Sequence, residues 1–185
     1  MGLYEHELNG WLDQALPKVT RILDVGANDG YFAFGCAAAF QRLNIAGDII
    51  AYEPQSVHCD TLQKTIPLQA PGQPQVKVVQ AFVGAKDNGI DTVTLDASDA
   101  SDRTRTLIKI DVEGAEEDVL AGAQSWLAPS NLFLIEVHAE HFLDTIPKMF
   151  AKHGLKLNRV DQQPLPLLGR EVRDESNWWL VSDLS

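Results

Sequence analysis

The sequence predicts an α/β fold in which a mainly parallel sheet is covered by helices on both faces. Three observations carry this expectation. Short β-branched runs alternate with helix-length segments along nearly the whole chain, and strands alternating with helices pack as a parallel sheet between two helical layers. The first such run ends in a glycine turn, Asp24-Val-Gly26-Ala-Asn28-Asp-Gly30, that leads directly into an apolar helix. No repeat or linker interrupts the 185 residues, a natural length for a single domain spanning 1–185.

The elements follow in order. Residues 4–16, within an N-terminal segment 1–18, read as a short amphipathic helix with Leu8, Trp11, Leu12 and Leu16 on one side. Strands are expected at 20–25, 48–53, 76–82, 106–111, 131–137, 155–160 and 177–183, and helices at 30–42, 55–66, 114–127 and 140–153. The last two strands have no helix between them, so they should pair as an antiparallel hairpin at one edge. Two polar connections, 84–105 and 161–176, are long. Connections of that length are either functional lids or plain surface.

Composition narrows the partners. The 26 acids outnumber the 15 basic residues, a net charge of −11. A nucleic-acid-binding surface is normally basic, so a small molecule is the favoured partner. No apolar run approaches the ~20 residues of a membrane span, and the first residues show no secretory or myristoylation pattern. Cys36 and Cys59 have neither metal nor redox spacing. Cys36 reads as core, and a cytoplasmic, reducing setting is expected.

The glycine turn is the first chemical signal. Glycines let a backbone approach a ligand, and the helix N-terminus points at it. A dinucleotide fingerprint requires Gly-x-Gly-x-x-Gly, but Asn28 occupies the place of the second glycine. Asp24 and Asp29 would repel phosphate and suit a ligand with cationic groups, such as the sulfonium and ammonium of S-adenosylmethionine. Glu53 ends the second strand 23 residues after Gly30, where an acid can accept hydrogen bonds from ribose hydroxyls.

A second group lies at the ends of strands four and five. Lys109 and Asp111 are two apart on one strand, as are Glu136 and His138 on the next, so each pair shares a face. Ligands on such sheets bind beyond the carboxyl ends of the strands. Asp111, Glu136 and His138 should therefore converge there, with the histidine suited to taking a proton near neutrality. Lys109 reads equally as a structural ion pair or as part of the chemistry. Glu116, Glu117 and Asp118 read as complements to the dipole of the following helix. The cluster could also bind a divalent metal, but no ligand spacing singles one out and none is expected. Of Trp178 and Trp179, one should pack on the sheet and the other face outward.

Together, Ile22-Leu-Asp-Val-Gly-Ala-Asn-Asp-Gly30, Ala51-Tyr-Glu-Pro54, Thr94-Leu-Asp96, Leu107-Ile-Lys-Ile-Asp-Val-Glu-Gly-Ala-Glu116 and Ile135-Glu-Val-His138 resemble the FkbM family. Its members are S-adenosylmethionine-dependent methyltransferases, many acting on hydroxyl oxygens of sugars and natural products. The likeness spans about residues 20–140, and the run ending in Glu116 is its most specific part. It implies a Rossmann-like class I methyltransferase fold, seven strands in the order 3-2-1-4-5-7-6. It also implies S-adenosylmethionine as cofactor, with Asp24, Gly26, Ala27, Asn28, Gly30, Glu53 and Pro54 around it. Two departures stand out. Little chain precedes the first strand to cap a substrate site, and no acid follows the third strand to meet the adenine amine, so Phe82 is expected to pack on the ring.

The reading that follows is methyl transfer to a hydroxyl of a small molecule. His138 or Asp111 would be the base, Glu136 would orient the acceptor or the histidine, and Lys109 would balance charge. Three alternatives come from other classes. One is a catalytically inactive module of the same fold that senses cofactor or binds a partner. A nucleotide-dependent dehydrogenase is disfavoured by the missing glycine. A nucleic-acid methyltransferase is disfavoured by the lack of a basic face.

Overall fold

The computed structural model describes residues 5–98, 102–163 and 177–184. Seven strands form the main sheet: β1 (Arg21–Val25), β2 (Asp48–Tyr52), β3 (Val76–Val79), β4 (Thr106–Ile110), β5 (Leu132–Val137), β6 (Leu157–Val160) and β7 (Trp178–Ser182). Their spatial order is β3-β2-β1-β4-β5-β7-β6. All pairings are parallel except β5 with β7 and β7 with β6. The edge hairpin expected from the missing helix is thus present. Two further strands, Phe82–Val83 and Thr92–Val93, form a separate two-stranded ribbon that the sequence reading lacked.

The helices are α1 (Asn9–Ala15), α2 (Tyr31–Arg42), α3 (Ser56–Thr65), α4 (Glu116–Ala121) and α5 (Phe142–Ala151). Successive strand residues point to opposite faces, and each face has its own core. Ile22, Ile49 and Leu107 pack with Leu12 of α1, Ala33 and Phe40 of α2 and Leu62 of α3. Leu23, Ile108 and Phe133 pack with Val119 of α4 and Ile146 and Phe150 of α5. Burial on both faces explains why these strands read as continuous apolar runs rather than alternating ones. Of the N-terminal stripe, Leu8, Leu12 and Leu16 are buried, and the Trp11 indole N–H donates to the Ser182 carbonyl at 2.9 Å. Trp179 is buried, while Trp178 is partly exposed beneath the Arg159 guanidinium.

Two elements differ from expectation. The helix expected over 114–127 ends at Ala121, and a separate single turn follows at Gln124–Trp126. At the break, a Cβ on Gly122 would lie 2.1 Å from the Gly84 carbonyl oxygen, so close packing of two backbones interrupts the helix. The first part of the 84–105 connection is an anchored strap. Leu95 is fully buried, its carbonyl accepts the Trp126 indole N–H at 3.1 Å, and the Asp96 carboxylate accepts the Gln124 and Ser125 amides at 3.0 Å each. Residues 99–101, and 164–176 of the second long connection, lie outside the described residues.

Candidate active site

Parallel register fixes the first half of the site. β1 sits between β2 and β4, with Asp24 level with Lys109 and Val25 level with Tyr52 and Ile110. The chain then leaves β1 at Gly26, whose φ is +79°. A Cβ there would lie 1.8 Å from the Asp111 carbonyl oxygen, so only glycine lets the ends of β1 and β4 pass. The Gly26 and Ala27 amides donate to the Tyr52 carbonyl at 3.0 and 3.1 Å, and the Gly30 amide closes the turn on the Ala27 carbonyl at 2.9 Å. Asn28 also has positive φ, +48°, a conformation that asparagine tolerates better than most residues. That accounts for asparagine at this position of the turn.

The turn opens onto a cleft of about 400 Å³ at the carboxyl ends of β1, β2 and β4, within the range of small-molecule and cofactor sites. Gly26, Asn28, Glu53, Pro54, Phe82 and Asp111 all line it. Glu53 is 4% exposed, and both of its oxygens hold the loop. Oε2 accepts the Asn28 amide at 2.8 Å and Oε1 the Gln55 amide at 2.9 Å. Each carboxylate oxygen keeps a second lone pair, so Glu53 can brace the turn and still receive hydroxyls. Phe82 presents an apolar wall, 53% exposed.

Asp24, Ala27 and Gly30 are not on the cleft wall. Ala27 is buried in the core beside α2. Gly30 gives α2 its left-handed entry residue, where a Cβ would meet Leu62 at 2.4 Å. Asp24 is fully buried, with the Lys109 ammonium 3.5 Å from its Oδ1. Burial drives its pKa up to about 6, against the pull of Lys109.

Lys109 occupies a position behind the cleft. Its ammonium donates to Asp111 Oδ2 at 2.9 Å and to the Gly26 carbonyl at 3.2 Å. Burial disfavours its charge, but Asp24 and Asp111 outweigh that and raise its pKa. Lys109 thus ties the glycine turn to Asp111.

Beyond Asp111 the expected cluster is assembled. Atoms of Asp111, Glu136 and His138 lie within 4.8 Å of one another, near enough for a divalent cation to bridge them. His138 Nε2 is 3.7 Å from Asp111 Oδ1. Burial followed by repulsion from Asp111 pushes the Glu136 pKa up to about 7. For His138, burial opposes the charged form, but the bond to Glu116 and the surrounding carboxylates prevail and raise its pKa. Sequence reasoning missed Glu116. Far from decorating a helix end, it is fully buried with Oε1 2.6 Å from His138 Nδ1.

The site therefore gathers four carboxyl groups around one ammonium and one imidazole. Asp24, Glu116 and Glu136 are buried and Asp111 partly so, with Lys109 beside Asp24 and Asp111 and His138 beside Asp111 and Glu116.

Comparison with known proteins shows what the chain is similar to. Residues 80–157 match the model of the methyltransferase FkbM domain. The crystal structure of methyltransferase FkbM from Methylobacillus flagellatus KT superposes with a TM-score of 0.68 at 18% identity, covering 90% of this chain and 44% of that one. This chain thus spans less than half the length of that protein. The C-terminal domain of precorrin-6Y C5,15-methyltransferase from Rhodobacter capsulatus gives 0.55 at 19% identity, covering 92% and 83%. Magnesium protoporphyrin IX methyltransferase from Synechocystis PCC 6803, solved with bound SAM, gives 0.59 at 13% identity, covering 97% and 79%. No curated protein sequence matches the chain.

Proposed function

We propose, from a chain that resembles the FkbM methyltransferases and has their domain signature over residues 80–157 on a class I methyltransferase fold, that it transfers a methyl group from S-adenosylmethionine to a hydroxyl oxygen of a small molecule. One observation supports this above the others. Asp111 belongs to both halves of the site, lining the cleft and lying beside His138, so a donor in the cleft and an acceptor over the cluster would meet at its carboxylate.

Gly26, Asn28, Glu53, Pro54 and Phe82 would hold the cofactor. When bound, it supplies a methyl group on sulfonium, a leaving group that needs no activation. The chain's remaining tasks are to position an acceptor hydroxyl and to remove its proton. His138, in its neutral form, takes that proton. Glu136, partly desolvated beside it, receives a second polar group of the acceptor, and Asp111 keeps the imidazolium from being stranded. Lys109 holds Asp111 and the glycine turn in register.

Replacing His138 with Ala tests the assignment. Turnover should fall at least ~100-fold while the affinity for S-adenosylhomocysteine changes little. Unchanged turnover would remove His138 from the chemistry.

A further inference from the structure

Glu116 is a carboxylate that packing does not explain. Three acids open α4, but Glu117 is half-buried and Asp118 exposed, and both can serve the helix dipole from the surface. Glu116 instead turns inward and is fully buried. Desolvating a carboxylate is expensive unless strong hydrogen bonds compensate. Its Oε1 has two partners, the Gly114 amide at 3.2 Å and His138 Nδ1 at 2.6 Å, and its Oε2 has none. The imidazole is the principal reason for its position.

A neutral imidazole has one N–H and two carboxylates compete for it here. Glu116 lies 2.6 Å from Nδ1, whereas Asp111 lies 3.7 Å from Nε2, beyond hydrogen-bond length. With the proton on Nε2, the Nδ1 lone pair would press against a buried carboxylate oxygen at 2.6 Å. With the proton on Nδ1, that contact becomes a charge-assisted hydrogen bond and the Nε2 lone pair is left open toward Asp111.

We infer that Glu116 is a positioning residue that fixes His138 in the Nδ1–H tautomer, so that Nε2 is the atom that receives the acceptor's proton. The inference rests on the functional reading above for its catalytic meaning, but its structural content stands separately. Glu116 reaches the histidine because the chain between β4 and α4 bends back through Glu113 and Gly114, both at positive φ.

The test uses the whole chain labelled with ¹⁵N-histidine, His138 being assigned from the spectrum of His138→Ala. Above the pKa of the imidazole, the wild type should show Nδ1 protonated and Nε2 bare. In Glu116→Ala the populations should shift toward the Nε2–H form, and turnover should fall at least ~10-fold with S-adenosylhomocysteine affinity unchanged. Glu116→Gln, whose amide oxygen can still accept Nδ1–H, should retain more of both properties. Should Glu116→Ala fail to fold, the wild-type spectrum and Glu116→Gln still decide the matter. An Nε2–H imidazole in the wild type, or a Glu116→Ala protein with unchanged tautomer and turnover, would overturn the inference. If the wild type methylates no acceptor, the functional reading fails while the tautomer result stands on its own.

Discussion

Mild acidification should stabilise this protein, the reverse of the usual behaviour of carboxylate-rich chains. Asp24 and Glu136 are buried and held at about 6 and about 7. A carboxyl whose folded pKa is raised contributes stability that is complete below its unfolded pKa and is lost as pH rises through the folded value. Between about pH 7.5 and about pH 5.5, protonation of Asp24 then adds about 1 kcal/mol and that of Glu136 about 2 kcal/mol. The raised pKa of His138 acts in the same direction. Asp91 and Asp102 have lowered values, but both are solvent-exposed and the stability they contribute is lost only at more acid pH. At roughly 2–4 °C per kcal/mol for a chain of this size, the melting temperature should rise by about 6–12 °C over that interval. Differential scanning calorimetry of the ligand-free protein measures it directly. Asp24→Asn and Glu136→Gln should each flatten the rise, Glu136→Gln by the larger share. A melting temperature that is flat or falling from about pH 7.5 to about pH 5.5 would refute the burial argument for both groups.

Further outcomes follow from the same geometry. Gly26→Ala places a Cβ 1.8 Å from the Asp111 carbonyl oxygen at a left-handed φ, so it should cost at least ~3 kcal/mol and abolish cofactor binding; a near-wild-type melt would contradict the crossing of strand ends described above. Treatment with a chelator should leave turnover unchanged, because in the proposed reaction His138 and Glu136 serve the acceptor and Asp111 the imidazolium. Loss of activity restored by Mn²⁺ or Zn²⁺ would reassign them as ligands.

Several features were legible in the sequence for physical reasons. The glycine turn, the acid ending β2 and the apolar strands are local patterns, and they gave the alternating fold, the edge hairpin and the placing of Gly26, Asn28, Glu53, Pro54 and Phe82 on the cleft. Spacing by two put Lys109 with Asp111 and Glu136 with His138. The rest depended on contacts between distant segments. Asp24 was expected at the cofactor, but parallel register sets it level with Lys109, behind the turn. Glu116 resembled any acid in a first helical turn until β5 brought His138 to within 2.6 Å of it. The early end of α4 is decided by the Gly84 carbonyl lying against Gly122, and the strap at Leu95 and Asp96 by bonds to Trp126, Gln124 and Ser125. No local periodicity encodes those approaches.

The central claim is that the cleft beneath the glycine turn is a methyl-donor site braced by Glu53. Calorimetric titration with S-adenosylhomocysteine, on the wild type and on Glu53→Ala, tests it most directly. The account predicts micromolar-range binding by the wild type, weakened at least ~10-fold, or about 1.4 kcal/mol, in the variant. Absence of binding to a folded wild type, with NADH binding in its place, would contradict it.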